Sequence, residues 1–171
     1  MGYRHDPNTN RLKDVFKPVH EILPMVSPID FEISGWDINN RNLFEAAKNA
    51  RVLEPSLLNA MRTELEAIVP LPSILNQDFI AANQSDRVNN VFQGTNQECI
   101  DKIRKDIRDM KQRVEKVIVL WTANTEMYML PEIATVEELK DRIARNSGMA
   151  ASVLFCVACI EEQVLYLNGS P

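Results

Sequence analysis

The chain has 171 residues, 45% of them apolar and 25% charged, with a formal net charge of −5. That length suffices for one domain with a real core. The acidic balance excludes a general nucleic-acid binder, which needs a basic face against phosphate, and no stretch approaches the ~20 apolar residues that cross a bilayer.

The first residues carry no apolar run, and Asp6 breaks the myristoylation pattern, so neither a secretion signal nor a lipid anchor is read there. A cytoplasmic protein is expected. Residues 1–20 are polar and aperiodic and predict a flexible arm, with His5 and His20 as bystanders; residues 21–171 predict one domain. Ile22 to Pro28 is apolar but interrupted by Pro24 and Pro28, the pattern of an extended segment at a sheet edge.

Phe31-Glu32-Ile33-Ser34 predicts a short strand running into a Gly35–Asn40 turn. Asn39 or Asn40 can then cap a helix over Asn42–Arg51, with Leu43, Ala46, Ala47 and Ala50 on one face. A second helix opens at Pro55, carries the stripe Leu57, Leu58, Met61, Leu65 and Ile68, and must end at Pro70-Leu71-Pro72. From Asn76 to Gly94 the chain is crowded with Asn, Gln, Asp and Arg; that loop reads equally as a surface excursion or a binding loop.

Thr95-Asn96-Gln97-Glu98 is a capping box, followed by Ile100, Ile103, Ile107 and Met110 at helical spacing. Val117 to Trp121 is an unbroken, β-branched apolar run, as expected of a strand covered on both faces. Thr122, Asn124, Thr125 and Glu126 follow it, polar groups beyond a strand's carboxyl end, where α/β sheets place ligands. A second capping box, Thr135-Val136-Glu137-Glu138, opens a short helix, and a wholly apolar helix over about 150–162 returns the chain to a strand at Val164–Leu167. This βαβ order predicts that strand 164–167 lies parallel to 117–121. Three strand ends, at Gly35–Asn40, Thr122–Glu126 and Asn168–Pro171, would then build one polar crevice.

Cys99, Cys156 and Cys159 form no disulfide framework, and Cys156-Val157-Ala158-Cys159 sits inside the apolar helix, where buried packing is the expectation. No second cysteine pair completes a zinc site, so no metal is predicted. The five glycines are too scattered for a GxGxxG fingerprint.

Leu23-Pro24-Met25-Val26, Gly35-Trp36-Asp37-Ile38, Val69-Pro70-Leu71-Pro72-Ser73-Ile74, Asp78 through Gln84, Arg87-Val88-Asn89-Asn90, Val119 through Glu126 and Asn168-Gly169-Ser170-Pro171 together resemble the inositol-3-phosphate synthase family, in order from about residue 20 onward. The resemblance implies an α/β fold, an incomplete Rossmann-like NAD-binding domain with a mainly parallel sheet. It lacks the glycine-rich loop and the catalytic half with its lysines, so no catalytic residue is expected in this chain. The implied reaction converts glucose 6-phosphate to inositol 3-phosphate through NAD-dependent oxidation, enolisation, aldol closure and reduction. The family also implies a homo-oligomer, a tetramer. By motif, the NAD pocket is expected to be lined by Asp37, Ser73, Ile74, Gln84, Arg87, Thr122, Ala123, Asn124, Thr125, Gly169 and Ser170. In that reading Asp37 accepts from an adenosine ribose hydroxyl, and Arg87 with the Gly169 and Ser170 amides suits phosphate. Asp37 as a turn former and Arg87 in a surface ion pair are the plain alternatives. Two departures stand out: Met127 occupies a position where the family usually has Arg, and residues 129–149 match poorly. The competing reading is a truncated, non-catalytic protein that binds nucleotide or associates with other subunits.

Overall fold

The computed structural model describes residues 4–5, 12–13 and 19–170, except for the side chains of residues 4, 5, 12, 13, 20 and 83–85. The expected N-terminal arm lies largely outside the described residues. Within it, β1 (Arg4–His5) pairs antiparallel with β2 (Leu12–Lys13). The chain divides into two units, residues 1–33 and 34–171.

The first unit departs from expectation. Val19–Ile22 is a single helical turn (α1), and Pro28–Asp30 is a 3-10 turn in place of an edge strand. Phe31 and Ile33 form no strand and stay exposed.

In the second unit the strand forms five residues later than the β-prone run, as β3 (Trp36–Asp37), parallel to β4 (Leu71–Pro72). The indole decides this position. Trp36 packs edge-on against Phe155, ring centroids 5.2 Å apart, and donates from Nε1 to the buried Asp106 Oδ2 at 2.8 Å. An aromatic ring with a polar handle is anchored only where both demands are met, and that outweighs strand propensity at Phe31–Ile33.

Next comes α2 (Leu43–Ala50), capped by Asn42, whose side chain accepts from Glu45 N–H at 2.9 Å; neither Asn39 nor Asn40 is the cap. The residue it buries is Phe44, with the Arg62 guanidinium 4.9 Å over its ring. The predicted second helix is split at Met61 into α3 (Pro55–Ala60) and α4 (Arg62–Ala67). Two 3-10 turns, Gln77–Phe79 and Ala82–Arg87, punctuate the Asn-rich loop.

The core is built by α5 (Asn96–Lys111), α7 (Ala151–Glu161) and the parallel pair β5 (Ile118–Trp121) and β6 (Leu165–Asn168). Ile100, Ile103 and Ile107, one stripe of α5, meet Leu154, Phe155, Ala158 and Cys159 of α7, with Val119 from β5. The apolar α7 is buried along most of its length, which is why its sequence shows no polar face. Both capping boxes form as read: Thr95 with Glu98, and Thr135 with Glu138 at the start of α6 (Val136–Ala144). Val119 faces the core, while Ile118, Leu120, Leu165 and Leu167 on the opposite face are exposed. The described strands of the second unit therefore form two separate parallel pairs, joined through side chains rather than one continuous ladder.

Candidate functional site

Phe155 joins the two parallel pairs. Trp36 at the start of β3 and Trp121 at the end of β5 both pack on its ring, at 5.2 and 5.3 Å between centroids. Each of the two polar corners therefore follows a tryptophan packed on the same ring.

The first corner is held by the asparagines of the loop. Asn39 Nδ2 donates to the Arg87 carbonyl at 2.6 Å, and Asn40 and Asn89 exchange two hydrogen bonds at 2.9 and 3.0 Å. Asn90 Nδ2 reaches the carbonyls of Asp37 and Pro70, and the amides of Asn89 and Asn90 both donate to Ile38 O. These bonds bring Asp37 and Arg87 into one corner. Asp37 is exposed, and its Oδ1 accepts from Asn39 N–H at 2.8 Å, so the turn-forming role is realised with the other oxygen directed to no described partner. Arg87 is exposed and makes no ion pair with a described residue, contrary to its plain alternative.

The second corner joins the ends of β5 and β6. Gly169 N–H donates to Trp121 O at 2.9 Å, and the Ser170 hydroxyl donates to Ala123 O. A Cβ on Gly169 would stand 3.2 Å from that Trp121 carbonyl, so a side chain there would push the two loops apart. Ser170 N–H is taken by Asn168 Oδ1 at 2.9 Å. The Gly169 and Ser170 amides thus serve the fold, and the expected anion-binding role for them has no free donor. Thr122, Ala123, Asn124 and Thr125 are all exposed.

The remaining expected residues are placed differently. Ile74 is buried in the core and Ser73 is buried beside it, its backbone bridged to Asn90 O and Phe92 N–H. They form the floor beneath the first corner. Gln84 falls in the 3-10 turn Ala82–Arg87, and its side chain lies outside the described residues.

Below the second corner is a cavity of about 470 Å³, lined by Trp121, Glu126, Tyr128, Ser152, Asn168 and Ser170 among others. Its size is ordinary for a small-molecule site. Glu126 is the polar group in it that sequence reading left without a role. Its Oε1 accepts from Ala151 N–H at 2.8 Å and its Oε2 from Ser152 N–H at 3.2 Å. These are first-turn amides of α7, whose own N-cap is Ala150 and supplies no side-chain acceptor. An apolar helix that starts without Ser, Thr, Asp or Asn is the sequence signal that an outside acceptor is needed. Nearby, the Tyr166 hydroxyl donates to Ser152 O at 3.1 Å, and burial first, then the charges around it, push its pKa up.

Among the described residues no group of three or more His, Cys, Asp or Glu could hold a metal, and no helix is long and apolar enough to cross a membrane. Burial raises the thiol pKa of Cys156, and pushes Cys159 up to about 12 with help from Cys156. That is opposite to the shift a reactive thiol needs.

Comparison with known proteins identifies the family. The family model of the NAD-binding domain of myo-inositol-1-phosphate synthase matches residues 3–171. Inositol-3-phosphate synthase of Sesamum indicum is 44% identical over 165 residues, and isozyme 1 of Arabidopsis thaliana 43%, each match covering 93% of this chain and 32% of the relative. The crystal structure of inositol-3-phosphate synthase from Caenorhabditis elegans superposes with a TM-score of 0.87 at 45% identity, covering 100% of this chain and 35% of that one. The chain spans about a third of the length of the curated relatives it matches. It has the incomplete Rossmann-like α/β fold expected of that region, and it belongs to the myo-inositol-1-phosphate synthase family.

Proposed function

We propose that this chain is the cofactor-holding part of a cytoplasmic, homo-oligomeric isomerase that converts D-glucose 6-phosphate to 1D-myo-inositol 3-phosphate. When bound, NAD supplies reversible hydride acceptance at the sugar, so the reaction has no net redox and the cofactor stays in place through the cycle. The observation that carries this reading is the corner in which Asn39 ties Asp37 to Arg87, a hydroxyl acceptor beside a cation that has no ion pair among the described residues.

The chain's own residues divide the work. Asp37 accepts from a ribose hydroxyl through the carboxylate oxygen that the turn leaves open. The Arg87 guanidinium would meet the pyrophosphate, a charge-assisted contact suited to its fork of donors. Gln84 lies in the same 3-10 turn as Arg87. Thr122, Ala123, Asn124 and Thr125 offer small side chains and backbone groups along the second corner, which Gly169 and Ser170 hold shut. Ser73 and Ile74 support the floor. The ammonium groups that would stabilise developing oxyanions during ring closure are assigned to no residue here, so turnover of glucose 6-phosphate by this chain alone is not expected. A non-catalytic subunit-association role is not favoured by the family matches.

Calorimetry of the 171-residue chain with NAD is the direct test. Saturable heat that weakens on Asp37→Ala and on Arg87→Ala supports the reading. No heat at millimolar NAD would remove the cofactor role of this chain.

A further inference from the structure

Glu126 joins three things that the cofactor site needs together. Its backbone directly follows the Thr122–Thr125 corner. Its carboxylate caps α7 at Ala151 and Ser152, and the next amide, Met127 N–H, donates to Phe79 O at 2.7 Å. Phe79 is the last residue of the 3-10 turn that precedes the segment carrying Gln84 and Arg87. One residue pair, Glu126-Met127, therefore pins the Thr-Ala-Asn-Thr corner both to the start of the central helix and to the arginine-bearing loop.

We propose that Glu126 is a positioning residue for cofactor binding: its carboxylate, held on the α7 N-terminus, sets the height of the 122–125 corner relative to the Asp37–Arg87 corner. This rests on the cofactor reading above and adds to it a residue that touches no cofactor itself. The physical case is one of geometry. Thr122–Thr125 are exposed and carry few bonds of their own; the Ser170 hydroxyl to Ala123 O is the tie at one end, and Glu126 is the tie at the other. The α7 terminus is a fixed point, because its helix is buried in the core and its first-turn amides and dipole hold an anion. A corner tied at both ends to fixed points is pre-organised; a corner tied at one end must be ordered by the ligand, at a cost in affinity.

A purely structural alternative exists, namely that Glu126 merely caps a helix. The two roles separate in a rescue experiment. Glu126→Ala removes both cap and tie. Adding Ala150→Ser places a hydroxyl at the N-cap, within reach of the first-turn amides, and restores the cap without the tie. We expect Glu126→Ala to lower Tm by about 2–4 °C and the double variant to recover most of that. NAD affinity should fall about tenfold or more in both variants and stay low in the double variant. Amide hydrogen exchange at Met127, which reports the tie to Phe79 directly, should speed up in both as well.

If the double variant recovers NAD affinity and Met127 protection along with Tm, Glu126 is only a cap and the proposal is overturned. If the wild-type chain gives no NAD heat, the cofactor reading fails on its own. In that case Met127 exchange still decides whether Glu126 sets the corner: protection restored by Ala150→Ser overturns the positioning role independently.

Discussion

Trp36 Nε1 donates to Asp106 Oδ2, and the same oxygen accepts from Lys102 Nζ at 2.5 Å one turn earlier on α5. A buried carboxylate thus meets one neutral and one charged donor, and the strand that carries Asp37 is fastened to the core helix through its preceding residue. The arrangement is asymmetric in its consequences. Asp106→Ala leaves the indole N–H and the ammonium without their acceptor in a largely dry place, and should cost about 2–3 kcal/mol in a urea melt. Trp36→Phe keeps Lys102 on the carboxylate and loses the indole contact and part of the packing on Phe155, so a smaller cost of about 1–2 kcal/mol is expected. Equal costs for the two would show that the indole contact, not the ion pair, carries the link.

Glu162 follows the last turn of α7 and is buried beneath three cations of α5. Its Oε1 accepts from Arg104 Nε and from Arg108 Nε, both at 2.9 Å, while Lys111 Nζ donates to its backbone carbonyl. The hydrogen bond from Arg108, then that from Arg104, hold its carboxyl below the ordinary value of 4.5 against the opposing effect of desolvation. A lowered folded-state pKa stabilises the fold above the unfolded-state value, and that stabilisation is lost as pH falls through the lowered value. Stability should therefore be level with respect to this group at neutral pH and decline from about pH 4.5 downward. Glu162→Gln should be less stable than the parent at pH 7 and show a shallower decline in acid, in melts recorded from pH 7 to 3. Parallel acid slopes in parent and variant would rule the group out as a contributor.

What could be read from the sequence is what local chemistry decides. The capping boxes at Thr95 and Thr135 satisfy their orphan amides within four residues, so no distant partner is needed to recognise them. The β5–β6 parallel pairing followed from two apolar runs separated by two helices. The misplacement of the first strand has the opposite character. Phe31–Ile33 has the better strand composition, yet Trp36 lies in the strand because Asp106 and Phe155, 70 and 119 positions away, hold its ring. The same holds for the site. Asp37 and Arg87 carry recognisable chemistry, but the asparagines that bring them together pair across some fifty positions, and the Gly169 and Ser170 amides looked free only because their acceptors, Trp121 O and Asn168 Oδ1, are set by a turn. The capping role of Glu126, named in the sequence only as one of a polar cluster, escaped notice for a related reason: its partners are backbone amides of Ala151 and Ser152, which carry no side-chain signature.

The three cysteines offer a test of the packing reading. Cys99 and Cys159 are buried and Cys156 is half-buried, with every thiol pKa raised, chiefly by desolvation. The thiolate is the reactive species, so at pH 7–8 the folded chain should react slowly with a disulfide reagent at all three sites. In denaturant all three should react within the mixing time and stoichiometrically. Rapid labelling of Cys156 in the native chain would mean that α7 opens locally far more often than its place in the core suggests.

The outer face of the β5–β6 pair gives a prediction of a different kind. Ile118 pairs in register with Leu165 and Leu120 with Leu167, and these four side chains are 54–64% exposed. Parallel strands normally have both faces covered, so this face is a contiguous apolar patch of the sort that binds hydrophobic dyes and promotes association. The isolated chain should bind an anilinonaphthalene dye at pH 7, and its sedimentation should depend on concentration. Replacing Leu120 and Leu167 together by Thr keeps β-branched, strand-compatible residues while removing the apolar tips. Since both side chains are already largely in water, the double variant should stay within about 1 kcal/mol of the parent. Dye fluorescence should drop and the concentration dependence weaken. Undiminished dye binding in a variant with parent-like stability would move the exposed apolar surface elsewhere, with the Met127–Leu130 stretch, where Met127, Tyr128 and Leu130 are 62–75% exposed, next to be tested in the same way.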